Sequence, residues 1–275
     1  MAELDTDSTE RASRRPLWPA LLCALLVLLA VAWVAGRQSL QGAPDQPASL
    51  DAVRLGPDPG EPVAGYLAGL PARLPPAGAP AVPALVQFGA LPSGAAGAVP
   101  GGPAGALPDG AAAALPDGAA AARLLTGVTS ATAVFRVPLP RVQTALRFQP
   151  LPPVDAVDPV AAALRRFTLA QRAAQRDASA QASRLTGRPA SVAGYEAAAL
   201  AAEPPCRCVL AVLVTGDRAG LTRLAGLPEV RAVDAAPEGT PVTGVALAPL
   251  LPEQTEVAGP APDDGPVPAA LGSPG

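Results

Sequence analysis

The chain contains no Lys, no Asn, no Ile and no His, and all 20 of its basic residues are Arg. Aromatic side chains are scarce at 3%, and there are only three Cys. Each absence removes chemistry. Without His there is no imidazole base, no Ser-His or Cys-His nucleophile pair and no His metal ligand. Without Lys there is no Schiff base and no phosphate-loop lysine. Without Asn there is no N-glycosylation acceptor. Carboxylate catalysis stays open, but no pair of acids is singled out. A net charge of −3, with no basic cluster outside one short N-terminal flank, excludes nucleic acid as a partner. The missing residue types have AT-rich codons, while the abundant Ala, Gly, Pro and Arg have GC-rich ones. A very GC-rich bacterial genome accounts for both, so Ala and Arg abundance carries no functional message.

What is present is first of all an apolar run, Leu17 to Gly36, of twenty residues without a charge. As a helix it is long enough to cross a hydrocarbon core of about 30 Å. Trp18 and Trp33 stand near its two ends, where indole rings favour the headgroup boundary. Arg11, Arg14 and Arg15 precede it and only Arg37 follows closely, which places residues 1–16 in the cytoplasm and the rest of the chain outside. The competing reading is a cleaved signal peptide, with Val34-Ala35-Gly36 as the small-residue site. The apolar core of a signal peptide runs about 7–15 residues, so an anchor is the better fit. Cys23 lies too early in the run to be a lipoprotein cysteine.

The 36 Pro and 27 Gly are unevenly spread. Residues 37–128 read as a Pro/Ala/Gly-rich tether and low-complexity region, too poor in buried apolar area to offset its ordering entropy. Within it, Val82 to Leu91 is a candidate strand. LPDGAAAA occurs twice in tandem, at Leu107–Ala114 and Leu115–Ala122. Each Pro-Asp-Gly is a turn signal. Asp109 and Asp117 make no calcium site, because the ion takes six to eight oxygens.

Residues 129–255 are better patterned and read as the folded extracytoplasmic domain. Thr129 to Val137 is β-branched and partly alternating, a strand signal. Leu139 to Phe148 is a candidate short helix, with Val142, Leu146 and Phe148 to one side. Asp158-Pro159 is a helix start, Asp as N-cap and Pro in the first turn, and the helix is expected to run to Leu185 before Gly187 and Pro189 stop it. A linker then reaches Ala201. Cys208 to Val214 is a short apolar strand, Asp217 caps a helix over Arg218–Ala225, and Val230 to Val233 is another strand. This compact βαβ unit predicts two parallel strands. The fold class is α/β (α+β), a small sandwich of three or four strands, of a ferredoxin-like kind, with one long helix. From Glu256 onward the chain reads as a disordered tail.

Cys206-Arg207-Cys208 is the sharpest local feature, and both thiols fall on the oxidising side of the predicted topology. In a straight strand their Cα atoms would stand roughly 6.5–7 Å apart, the upper edge of disulfide reach. A local disulfide, free or intermolecular thiols, a redox-active pair and a soft-metal site all stay open; two thiolates without His or a nearby Met make the metal the weakest of these. No cofactor or metal site is expected. The long helix permits a heptad reading through Val160, Leu164, Phe167, Gln171, Ala174, Ala178, Gln181 and Leu185. With Gln and Ala in its middle it suits packing on the protein's own sheet better than a coiled coil, and weak homo-oligomerisation through 158–185 is the alternative. Arg165, Arg166, Arg172, Arg176 and Arg184 read as its solvated face. Asp263-Asp264 has nothing in a Pro-Gly tail to position it for catalysis.

The segments CRC at Cys206–Cys208, VRAVDAAPEG at Val230–Gly239, PLLPEQ at Pro249–Gln254 and PDDGPVP at Pro262–Pro268 resemble those of uncharacterised single-pass membrane proteins of high-GC Gram-positive bacteria. That resemblance implies the same topology and lineage and carries no activity. The functional expectation is a membrane-anchored, extracytoplasmic, non-catalytic module that binds a protein or cell-envelope partner. The alternative is a thiol-disulfide redox or redox-sensing protein using Cys206 and Cys208.

Overall fold

The computed structural model describes residues 52–89 and 115–269. All of them belong to one compact unit. The predicted cytoplasmic tail, the membrane span and Cys23 lie outside the described residues, and no helix among those described is long and apolar enough to cross a membrane.

Two apolar runs make the middle of a mixed α/β structure. β2 (Val82–Phe88) is buried at every position and β5 (Val209–Gly216) at all but one. Continuous burial of this kind belongs to strands covered on both faces. Around them stand β3 (Thr129–Phe135), β4 (Arg147–Pro150) and β6 (Val230–Ala235), in the order β4-β3-β5-β2-β6. All neighbouring pairs are antiparallel. A separate parallel pair joins β1 (Val53–Leu55) to β7 (Val245–Leu247). The helices are α1 (Val63–Arg73), α2 (Gly118–Leu124), α3 (Pro159–Arg184), α4 (Gly187–Ala201) and α5 (Arg218–Ala225).

β5 and β6 are parallel, as the βαβ spacing predicts, but they are not neighbours: β2 lies between them, antiparallel to each. In the same way β2 and β3 flank β5. Two split strand–helix–strand units interleave, which is the ferredoxin-like strand order. β4 extends one edge, and α3 and α4 are inserted between β4 and β5.

Several expectations are corrected. Residues 52–89 and 115–128 are not tether: β2 is an inner strand of the sheet, and α1 buries Val63, Tyr66 and Leu70. The remainder of that region, 37–51 and 90–114, lies outside the described residues, as does the first LPDGAAAA repeat. In the second repeat Asp117 is a helix cap, its carboxylate accepting from the Ala120 amide at 2.7 Å. No helix forms over Leu139–Phe148. Pro138 and Pro140 deny the first turn its geometry, and Arg147–Pro150 pairs with β3 instead. The expected linker to Ala201 is α4: α3 ends at Arg184, Gly187 (φ 62) opens the next helix and Pro189 sits in its first turn, where the missing N–H has no intrahelical partner anyway. The expected disordered tail is described to residue 269 and strapped to the body, Val63 N donating to Glu256 O at 2.8 Å and Ala258 N to Glu61 O at 2.9 Å.

The α3 start stands as expected. Asp158 accepts from the Val160 and Ala161 amides, each at 3.1 Å, and Asp217 caps α5 through Gly220 N at 2.8 Å. Strand register then sorts the two sheet faces. Val86, Val212, Ala133 and Gln149 share one face with Phe135 and Arg147, and α3 and α4 cover it at its β4 end. Leu85, Leu213, Gln87, Ala211 and Asp234 share the other, which α1 and the segment after β7 cover. Of the heptad residues, Phe167, Ala174 and Ala178 are buried within the chain's own fold, and Gln171 donates to Leu200 O at 2.8 Å.

Candidate functional site

A concavity lies where the chain leaves β3 and meets the C-terminal strap. It is a cleft of about 730 Å³, with Pro138, Leu139 and Pro140 on one side and Pro252, Val257 and Pro260 among those on the other. That volume falls within the range of small-molecule sites. Proline gives each wall a fixed φ and few backbone donors, so the walls are stiff and largely apolar.

At the floor stands an ion pair. Arg136 follows β3 directly, and its amide donates to Cys208 O at 2.8 Å, which holds the backbone against β5. Its guanidinium donates in a fork to Glu253, Nη1 to Oε2 at 2.7 Å and Nη2 to Oε1 at 2.5 Å. The Arg136 side chain is 2% exposed and that of Glu253 36% exposed. Arg136 Nε has no hydrogen-bond partner among the described residues. The rim carries Arg141, held at φ 55, a left-handed conformation uncommon outside glycine. Its side chain pairs with Asp264 and its carbonyl accepts from Gly265 N at 2.7 Å.

The strap that forms the second wall is fixed by a buried polar network around Asp234 on β6. Asp234 is fully buried and accepts from Gly56 N at 2.7 Å, the Tyr66 hydroxyl at 3.1 Å and Arg73 Nη1 at 3.1 Å. Tyr66 accepts in turn from Gln87 Nε2 at 2.7 Å, and Gln87 Oε1 accepts from Leu250 N at 2.6 Å. Burial raises the Tyr66 pKa well above its ordinary value, and the negative charge of Asp234 raises it further. Tyr66 therefore stays protonated and acts as a hydrogen-bond relay.

A second polar cluster lies across the sheet. Buried Glu196 of α4 accepts from Ala145 N at 2.6 Å and pairs with buried Arg147 of β4, which also donates to Gln181 of α3 at 2.9 Å. This cluster joins β4, α3 and α4 in place of the helix expected over 139–148. It borders a smaller hollow of about 330 Å³.

The sequence-predicted residues are placed as follows. Cys206 and Cys208 have their sulfurs 2.34 Å apart, a disulfide distance, with Cα atoms 5.4 Å apart. The separation is shorter than a straight strand gives, because both cysteines precede β5 instead of lying in it. Cys206 is half-buried and Cys208 fully buried. Asp263 and Asp264, expected to be unpositioned, are held: Arg188 Nη2 donates to Asp263 at 3.0 Å, Gln143 N donates to it at 3.1 Å, and Arg141 pairs with Asp264. Arg188 followed by the Gln143 amide lowers the Asp263 pKa, and Arg141 lowers that of Asp264. Arg166 is not part of a solvated face, since it donates to the carbonyls of Pro152, Ser130 and Leu151 at 3.0, 2.5 and 2.7 Å. Among the described residues no group of three His, Cys, Asp or Glu is placed to hold a metal.

Sequence reasoning missed Arg136 and Glu253. The available signal was Arg136 itself, a charge between Phe135 and Val137 at the end of an apolar strand, which requires a partner when buried. No family model, curated protein or solved structure matches this chain.

Proposed function

We propose that the chain is a single-pass membrane protein whose extracytoplasmic α/β domain is a non-catalytic binding module, and that its ligand seats in the proline-walled cleft. The observation that carries this is the pairing of rigid apolar walls with the Arg136–Glu253 pair, in which a buried guanidinium meets a partly exposed carboxylate. Apolar surface with few polar groups at fixed positions is how ligand sites obtain affinity and orientation. The ligand class is a largely apolar group or short segment with one polar end addressed to the ion pair. The membrane part of the reading rests on Leu17–Gly36 and the arginines before it; fifteen residues, 37–51, separate that run from Ala52.

The test uses the full chain in lipid nanodiscs, incubated with a fractionated cell-envelope extract and followed by hydrogen–deuterium exchange. Protection confined to 136–141 and 252–262 is the expected result. Protection elsewhere, or none with any fraction, overturns the assignment. A reporter fused after Gly36 should be active only if it works outside the cytoplasm, and a mature N-terminus at Arg37 would replace the anchor by a signal peptide.

A second reading uses Cys206 and Cys208 as a thiol-disulfide pair. It is favoured by the half-exposure of Cys206 beside a buried Cys208, since exchange needs one attackable sulfur. Thiol labelling across a redox titration decides it: a pair that never exchanges leaves the cysteines a structural role.

A further inference from the structure

The described residues hold 16 Arg against 16 Asp and Glu, yet α3 alone holds five Arg and one Asp. That single acid, Asp177, is exposed but is engaged by β4, accepting from Gln149 Nε2 at 2.5 Å. Arg166 is occupied by three carbonyls. Arg165, Arg172 and Arg176 are exposed and have no partner among the described residues. At 3.6 residues per turn these three and Leu169 fall within a sector of roughly 60° and run for about 16 Å along the helix. The sector lies opposite the buried stripe of Phe167, Ala170, Ala174 and Ala178. Three of the five α3 arginines are thus gathered on a face that none of the described residues covers.

We propose that this outward face of α3 docks on an anionic lipid surface, the headgroup layer of the membrane that anchors the chain; this rests on the anchor reading above. Charge complementarity calls for an anionic partner. Leu169, 44% exposed among the arginines, selects a lipid layer over a linear polyanion. Between headgroups an apolar side chain flanked by cations is accommodated, and the long arginine stems lie along the same boundary. A linear polyanion would leave Leu169 in water. The docking turns a tethered domain into an oriented one.

The experiment takes the full chain in nanodiscs of phosphatidylcholine alone and of phosphatidylcholine with about one-third phosphatidylglycerol, and maps arginine modification by phenylglyoxal. Arg123, exposed on another helix, is the internal reference. Each arginine near an anionic surface contributes roughly fivefold in partition, so three together give on the order of 100-fold. Labelling of Arg165, Arg172 and Arg176 should therefore drop in the anionic discs and recover at high salt. R172E should restore labelling of Arg165 and Arg176 to the neutral-disc level. Equal labelling in both discs overturns the docking and leaves the anchor standing. Protection by inorganic polyphosphate but not by anionic discs also overturns it, in favour of a linear polyanion. If the chain does not enter neutral discs, the anchor reading fails, and cosedimentation with phosphatidylglycerol vesicles then decides the docking. Cosedimentation lost in R172E upholds it, and no cosedimentation overturns it.

Discussion

Gly56 occupies a position that only glycine fits. It sits at φ +118, and a Cβ placed there would lie 1.8 Å from the backbone oxygen of Ala248, while its amide serves Asp234. Gly56→Ala must break either the β1–β7 pairing or the Asp234 bond, and should cost more than about 4 kcal/mol in urea unfolding. A loss under about 1 kcal/mol would show that the strap is not held there. Tyr66→Phe removes one hydroxyl that both donates to Asp234 and accepts from Gln87, leaving two buried groups short of a partner. It should cost about 1–3 kcal/mol, with Gln87→Leu recovering part of the loss in the double variant. At the cleft floor, Glu253→Ala leaves the Arg136 charge buried and unpaired. With Glu253 one-third exposed, the cost should sit near the low end for such pairs, about 3 kcal/mol. Replacing both by Met should cost clearly less than the sum of the single changes.

The C-terminal strap is an element without regular secondary structure, and its far end is held by charge. Asp263 and Asp264 both have pKa values below their ordinary 3.8 in the folded chain, through Arg188 and Arg141. Because the folded chain binds those protons less readily than the unfolded one, the contribution is present above about pH 4 and is lost as pH falls through the depressed values. Amide exchange at Gln143 and Gly265, whose N–H groups serve Asp263 and Arg141, should accelerate below pH 4 before exchange in β2 or β5 does. Simultaneous loss would show that acid acts on the whole fold and not on the strap end. α3 shows the complementary case of an element set by local signals, where Asp158, Pro159 and a stripe of Phe and Ala specify start, length and inner face together.

For the molecule as a whole, interleaving has a mechanical consequence. β2 reaches the sheet before residue 90 and lies between β5 and β6, which come more than a hundred residues later. A protease site placed at Gly101-Gly102 should therefore yield two pieces that coelute under native conditions and separate only when denatured. A chain begun at Thr129, the boundary that composition suggests, should fail to fold, because it withdraws an inner strand. Soluble, cooperative unfolding of that shortened chain would contradict the sheet order.

Local signals in the chain were enough for the helix start at Asp158, for the strands expected at 82–91, 129–137, 208–214 and 230–233 to within a few residues at their ends, for the Asp217-capped helix and for the parallel sense of β5 and β6. Each depends on caps and periodicity acting over a few residues. Pro, Ala and Gly content, by contrast, misled over 52–89 and over the tail after 256, because composition reports what a segment could bury alone and not what surrounding elements bury for it. Whether Gly56, Tyr66, Gln87 and Asp234 share one network, whether Arg136 meets Glu253, and whether Asp263 finds Arg188 are matters of contacts between distant segments. A charge or hydroxyl in the sequence shows that a partner is required when it is buried; only the folded arrangement of strands and strap supplies that partner.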